Sequence, residues 1–181
     1  MRTGTKRLAL LAVGIALFVV LSLCLQVPVF ENYYLCLGYV VMAVWCSAFG
    51  TLAGTAVGFF GVILYCVVIS GLRGMPGWAL GNLVIGLALG ACYRMTRGLP
   101  SRALRIAIQI VVIVAATALG ILVVKSVTEQ ILYAQPFVVR AGKNFTAFVA
   151  DTVMLLLSEP ICIALDAPAR RIFPELAVSK P

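Results

Sequence analysis

Six apolar segments divide this 181-residue sequence, and each is close to the roughly 20 residues that a helix needs to cross a lipid bilayer. They are residues 8–25, 35–50, 53–70, 78–95, 103–126 and 144–165. Charged residues make up 11% of the chain and the mean hydropathy is +1.12, whereas soluble domains carry about 25% charged residues. The sequence therefore predicts an all-α integral membrane protein in which residues 1–181 form one domain, a bundle of six transmembrane helices.

Helix-breaking residues mark the connections between the segments. Pro28, Pro76, Pro100 and Pro136 fall in four of these connections. The connection between the second and third segments is only FGTLAG, residues 49–54. This short link predicts a tight helical hairpin.

Basic residues orient the predicted bundle. With both termini in the cytoplasm, ten of the 14 lysines and arginines lie inside and four lie outside, as the positive-inside rule requires. Because basic residues beside apolar spans are topology signals, the net charge of +8 does not indicate nucleic-acid binding. The inner set is Arg2, Lys6, Arg7, Arg94, Arg97, Arg102, Arg105, Arg170, Arg171 and Lys180, and the outer set is Arg73, Lys125, Arg140 and Lys143.

Catalytic and metal-binding patterns are missing from the sequence. The chain has no histidine, and its six cysteines are scattered singly, without a CxxC pair. It lacks the GxSxG and HExxH motifs and the GxxxxGK[ST] phosphate loop. We therefore expect no catalytic residue, no metal and no cofactor, and any ATP-driven work needs a partner.

The stretch GLRGMPGWALGNLVIGLALG, residues 71–90, combines close-packing and polar signals. Gly86 and Gly90 recur at the four-residue spacing that lets helix backbones approach closely, and Trp78 and Asn82 share their face. An amide in hydrocarbon needs a partner or a wet cavity, so Asn82 indicates either an interhelical hydrogen bond or a ligand pocket. Trp78 is correspondingly an interfacial anchor or a ligand platform.

Asp151 supports the pocket hypothesis, because carboxylates inside a membrane are costly and commonly functional. We expect it about seven residues into the last helix, roughly 10 Å below the outer entrance. The alternative is a buried pair with Lys143, Lys125 or another residue of the bundle. Glu159, nearer the cytoplasmic end, is predicted to be structural or to contact a partner.

Two predicted outer loops can close such a pocket. Residues 26–34 offer aromatic side chains that can cover a flat ligand, and residues 134–144 offer charged and amide groups that can orient it. The candidate binding residues in these loops are Tyr33, Tyr34, Arg140, Lys143 and Asn144. Interfacial anchoring is the alternative role of both tyrosines.

Three stretches together resemble one family: LALLAVGIAL, then YLCLGYVVMAVWCSAFGTLAGTAVGFFGVILY, then PGWALGNLVIGLALGACYR. The chain is similar to the substrate-binding S component of an energy-coupling factor (ECF) transporter, a small six-helix membrane protein that captures vitamins. The resemblance implies a vitamin-like substrate bound at the outer face of a prokaryotic plasma membrane. It also implies a transmembrane coupling protein and two cytoplasmic ATPases as partners.

The resemblance also assigns a partner surface to the first helix. An AxxxA motif contacts the coupling protein in this family, and here it matches Ala12 and Ala16, with Ala9 extending the small face by one turn. The alternative is ordinary close packing within the bundle.

Two other function classes remain open. A membrane scaffold of the rod-shape type can also have six helices and no catalytic motif. A membrane enzyme using Asp151 and Glu159 is disfavoured, because the two lie about 12 Å apart along one helix. Riboflavin, pantothenate, cobalamin and folate are all compatible with an aromatic and polar pocket.

Overall fold

The protein is an all-α membrane protein with six helices, as predicted, seen here in a computed structural model that describes residues 3–24, 27–30, 33–69 and 75–177. Five of the helices are long and apolar enough to cross a membrane. Arg2, Arg73 and Lys180, used above to predict the orientation, lie outside the described residues. The helices are α1 (Thr3–Cys24), α2 (Gly38–Phe49), α3 (Thr51–Val68), α4 (Met75–Thr96), α5 (Arg102–Tyr133) and α6 (Phe137–Ile172).

The second helix is shorter than the segment that predicted it. It has 12 residues, about 18 Å at 1.5 Å per residue, which is less than the roughly 30 Å of a hydrocarbon core. It packs against α1, α3, α4 and α6, so its apolar sequence serves the interior of the bundle. Its Tyr39 and Met42 are fully buried.

The last two helices are longer than expected. Helix α5 continues past residue 126 to Tyr133 and contains a π-helical stretch, Ala118–Lys125. Helix α6 has 36 residues, against the expected 144–165. Its length of about 54 Å exceeds the hydrocarbon core, so its ends extend beyond it.

A small β-hairpin lies between α1 and α2, where the sequence predicted only a loop. Strand β1 (Val27–Phe30) pairs antiparallel with β2 (Tyr33–Leu35). The strands carry the valine, phenylalanine and tyrosine residues that favour extended backbone. Strand β2 contacts α6, so the hairpin lies beside the helix that carries Asp151.

Close backbone contacts hold the central helices together. Gly50 alone links α2 to α3, and its φ of 98° is a conformation that favours glycine. This confirms the predicted tight hairpin. A Cβ atom at Gly86 would lie 2.7 Å from the Cα of Thr55 on α3, so only glycine allows this approach.

The start of α1 and the segment that follows α6 lie at the same end of the bundle. Lys6 Nζ on α1 lies 2.7 Å from Glu175 Oε2, just beyond α6. We call this the terminal end and the opposite end the far end. At the bundle surface, apolar side chains such as Leu52, Val111 and Val138 are exposed, as a lipid environment requires.

Candidate functional site

A buried hydrogen-bond cluster lies where α2, α4 and α6 meet, toward the far end. The hydroxyl oxygen of Tyr39 lies 2.8 Å from Asn82 Oδ1 and 2.8 Å from Asp151 Oδ2. Trp78 Nε1 donates to the same hydroxyl at 2.8 Å. Tyr39 and Asn82 are 0% exposed and Asp151 is 4% exposed. Three helices therefore converge on one tyrosine hydroxyl, and we call these four residues the Tyr39 cluster.

The hydrogen bonds of this cluster indicate which of its groups carry a proton. Asn82 Nδ2 donates to the Gly58 carbonyl at 3.2 Å, which fixes the amide with Oδ1 toward Tyr39. The Tyr39 hydroxyl has one proton and can donate to only one of its two oxygen neighbours. All contacts are satisfied when Tyr39 donates to Asn82 and a protonated Asp151 donates to Tyr39. The arrangement therefore favours a neutral Asp151.

Lys125 extends the cluster toward α5. Its Nζ lies 5.8 Å from the centre of the Trp78 ring, and Tyr65 meets the same ring edge-on with centroids 5.7 Å apart. The ammonium also interacts electrostatically with Glu129 and Asp151. An ammonium group beside an aromatic ring and a carboxylic acid can bind a ligand carrying a polar or anionic edge.

A second group of polar residues surrounds Glu129, one turn beyond Lys125. Asn144 Nδ2 donates at 3.0 Å to Glu129 Oε2 and at 3.0 Å to Ser126 Oγ. Arg140 lies 3.7 Å from Glu129 Oε2, and its guanidinium carbon lies 5.1 Å from the centre of the Tyr133 ring. Arg140 Nε has no hydrogen-bond partner although it is buried. This group retains an unsatisfied donor.

The structure corrects where several predicted residues lie. Arg140, Lys143 and Asn144 were expected in an outer loop, but they lie in the first turns of α6, because the connection is only residues 134–136. Arg140 and Asn144 face Glu129, whereas Lys143 is exposed. Tyr33 and Tyr34 place their backbone in β2, and their side chains lie outside the part that the structure describes.

Asp151 lies farther along its helix than expected, because the helix begins earlier in the sequence. Helix α6 begins at Phe137, so Asp151 is about 21 Å along it rather than about 10 Å. Of the predicted binding residues, Trp78, Asn82 and Asp151 come together. Sequence reasoning missed Tyr39 and Glu129, and it considered Lys125 only as an ion-pair partner. The four-residue spacing of Lys125 and Glu129 was the available signal.

Glu159 belongs to a separate cluster near the terminal end. Tyr93 donates to Glu159 Oε1 at 2.5 Å, and the carboxyl is 6% exposed. Asp151 and Glu159 therefore bond to different tyrosines on different helices. This arrangement agrees with the expectation that the two carboxyl groups do not act together on one substrate bond.

The small residues of α1 divide between two faces. Ala9, Ala12 and Ala16 are exposed. Gly14 is buried, and a Cβ atom there would lie 2.6 Å from a Val57 methyl group and 2.7 Å from the Trp45 ring. Close packing within the bundle therefore uses Gly14, and the three alanines form an uncovered face.

Comparison with known proteins adds independent information. A family model described as the S component of ECF-type riboflavin transporters matches residues 2–165. A UPF0397 protein of Streptococcus thermophilus (strain ATCC BAA-491 / LMD-9) is 29% identical over 169 residues, covering 87% of this chain and 88% of the relative. A UPF0397 protein of Lactococcus lactis subsp. cremoris (strain NZ9000) is 37% identical over 81 residues, covering 43% of each.

The family match extends over nearly all of the chain, from the start of α1 to the last third of α6. The family consists of transporter subunits rather than catalysts, and the long apolar helices make this chain a multi-pass membrane protein. The matched span and the helical bundle together show that the chain belongs to the S component family of ECF-type riboflavin transporters.

Proposed function

We propose that this S component captures a vitamin or related micronutrient at the far end of the bundle, which faces the outside of a prokaryotic plasma membrane. A transmembrane coupling protein and two cytoplasmic ATPases then drive uptake. The observation that carries the binding site is the Tyr39 cluster, in which four polar or aromatic side chains from three helices share one buried hydroxyl. The excess of basic residues at the terminal end supports this orientation.

The Tyr39 cluster forms the base of the proposed site. Asn82 and Asp151 supply hydrogen-bonding groups, and Trp78 with Lys125 supplies an aromatic ring and a charge. A ligand gains affinity by taking over contacts that these residues make with one another, which costs little because donors and acceptors are exchanged. The proposed rim is Arg140, Lys143, Asn144, Tyr33 and Tyr34, around the entrance beside the β-hairpin.

Riboflavin is the first substrate to test, because the matching family model is described by that vitamin. Its ring system is flat and carries both hydrogen-bond donors and acceptors. An aromatic and polar site suits such a ligand. Mass spectrometry of the ligand that co-purifies with the protein tests this choice against other micronutrients.

The binding site is tested by titrating riboflavin against the purified protein and following flavin fluorescence. Replacing Asn82 or Asp151 with alanine leaves a buried ligand group without its partner, which typically costs about 1 to 3 kcal/mol, or roughly 5- to 150-fold in Kd. Trp78→Ala is expected to weaken binding through lost ring contact. Trp45→Ala is the matched control, because Trp45 donates to the Leu10 carbonyl on α1, outside the proposed site.

Thermal unfolding of the same variants separates binding from packing. Trp45→Ala is expected to lower the melting temperature and leave the Kd of the folded protein unchanged. If the Asn82, Asp151 and Trp78 variants behave like Trp45→Ala, the cluster only holds helices together. The binding site then lies elsewhere.

The exposed alanine face of α1 is the proposed contact with the coupling protein. Ala9, Ala12 and Ala16 lie about one turn apart along one helix face, and all three are exposed. Small side chains allow a second helix to approach closely in lipid, where van der Waals packing drives association. Uncovered alanines therefore suit a partner helix.

Changing Ala12 and Ala16 together to tryptophan is expected to abolish co-purification with the coupling protein and transport, because bulky rings hold the two helices apart. Riboflavin affinity is expected to stay within about twofold, since the cluster is not touched. Val111→Trp, at a 67% exposed apolar position on α5, is the matched control. Normal transport by the double variant would place the docking face elsewhere.

A further inference from the structure

A polar cavity of about 210 Å³ opens at the terminal end, among α2, α4, α5 and α6. It is separate from the Tyr39 cluster and shares no residue with it. At this volume it is smaller than the roughly 300 to 1,000 Å³ of most small-molecule sites. The cavity can therefore hold only a small ligand or a headgroup. Its polar lining includes Tyr93, Arg97, Arg105, Gln109, Glu159 and Asp166.

Three polar atoms of the lining are buried and have no hydrogen-bond partner. They are Glu159 Oε2, Gln109 Oε1 and Arg105 Nε. Glu159 and Gln109 are each only 6% exposed. Because an unpaired buried polar group is costly, such atoms call for a partner that completes them. Two of them accept hydrogen bonds and one donates, so the missing partner must have both donors and an acceptor.

The other charges of the cavity are already engaged. Asp166 accepts two hydrogen bonds from Arg170, at 3.0 and 3.1 Å. Arg97 donates to the Ser47 carbonyl and lies 3.6 Å from Asp166. Glu159 is paired through Oε1 with Tyr93, a neutral group, and its Oε2 has no hydrogen-bond partner. Arg105 acts on this carboxyl electrostatically, but no ion pair within 4.0 Å joins Glu159 to a cation among the described residues. A cationic donor is the group that best complements it.

We propose that this cavity binds a small zwitterion that carries a primary ammonium group and an anionic group. The ammonium donates to Glu159 Oε2 and Gln109 Oε1, and the anionic group accepts from Arg105. The headgroup of phosphatidylethanolamine has this chemistry, and so does free phosphoethanolamine. Leu104 and Leu165, the neighbours of Arg105 and Asp166 in sequence, are 50% and 42% exposed, so apolar side chains that suit the tails of a lipid lie beside both positions.

The test compares the full-length protein in nanodiscs of phosphatidylethanolamine and of phosphatidylcholine, whose trimethylated ammonium has no N–H donor. We expect the ethanolamine lipid to raise the melting temperature by about 2 to 4 °C or more and to be retained in native mass spectrometry. Glu159→Gln and Gln109→Leu are expected to remove this difference. Glu175→Gln and Gln130→Leu, the same changes at exposed positions outside the cavity, are expected to keep it.

A parallel titration of phosphoethanolamine in detergent identifies the source of the ligand. A rise in melting temperature that both cavity variants abolish assigns the site to a free zwitterion, and a rise with the lipid alone assigns it to a headgroup. If Glu159→Gln does not fold, the Gln109→Leu variant by itself tests the proposal. Equal stability in both lipids without an effect of phosphoethanolamine overturns the proposal, as does a lipid difference that survives in the cavity variants. Water alone then fills the cavity.

Discussion

The bundle contains the same chemical pair twice, a tyrosine hydroxyl against a carboxyl group of α6, in two different surroundings. At the far end, Tyr39 lies 2.8 Å from Asp151, and the same hydroxyl also contacts Asn82 and Trp78. At the terminal end, Tyr93 lies 2.5 Å from Glu159 beside an open cavity with unpaired polar atoms. The first pair is the centre of a closed network, and the second is one wall of an open space.

This difference determines how much of the free energy of unfolding is lost when one group is removed. In the closed network, removing a member leaves its partners unpaired, because they are almost fully buried and their hydrogen-bonding groups face one another. Beside an open cavity, a solvent molecule or a polar group of a bound ligand can replace the lost group. The two tyrosines should therefore respond differently to the same substitution, although both are buried.

The largest effect is expected for Tyr39→Phe. The substitution removes one oxygen but takes away the hydrogen bonds of three buried atoms, Asn82 Oδ1, Asp151 Oδ2 and Trp78 Nε1, at an expected cost of about 3 kcal/mol in the free energy of unfolding. Reversible unfolding in mixed detergent measures this loss. A cost no greater than that of Tyr93→Phe would show that the far-end cluster is as accessible to water as the cavity, and the comparison would fail.

A smaller effect is expected for substitutions at Asp151, and it tests whether this carboxyl group is protonated. The amide of Asp151→Asn can donate to Tyr39 as a protonated carboxyl does. We therefore expect this variant to lose about 1 kcal/mol or less of the free energy of unfolding, whereas Asp151→Ala should lose about 2 kcal/mol. The same unfolding measurement compares the two variants. Equal losses would indicate that Asp151 is a carboxylate, accepting from Tyr39 and stabilised by Lys125.

Of the two tyrosine variants, Tyr93→Phe is expected to have the smaller effect. It removes one hydrogen bond to Glu159 at the edge of the cavity, where water can take the place of the hydroxyl, so we expect a cost of about 0.5 to 1.5 kcal/mol. Adding Gln109→Leu, which makes the cavity more apolar, should raise that cost in a double-mutant cycle. Strict additivity would mean that water in the cavity does not replace the hydroxyl.

Much of the fold could be predicted from hydropathy alone, and the helix ends could not. The expected end of α5 near residue 126 and start of α6 at residue 144 mark where charges and amides begin to interrupt the apolar pattern. The helices continue to Tyr133 and begin at Phe137, because a helix satisfies its own backbone in water as well as in lipid. Hydropathy reports which part of a helix lies in lipid, and not how long the helix is.

The candidate site was predictable where polar residues interrupt apolar segments. Asn82 and Asp151 were found in this way, since each is costly in hydrocarbon. Tyr39 was missed, because a tyrosine in an apolar segment is an ordinary core or interfacial residue in sequence. Only the convergence of three helices makes its hydroxyl the centre of the cluster.

Sequence by itself determined that this chain enters a membrane as helices, because hydropathy and backbone hydrogen bonding are properties of each segment alone. It also marked two rows of small residues, in α1 and in α4, as places of close helix approach. Only the tertiary structure decided that Gly86 is covered by α3 while Ala12 and Ala16 stay exposed. The physical reason is that covering a face depends on which distant helices meet there, and no single segment carries that information.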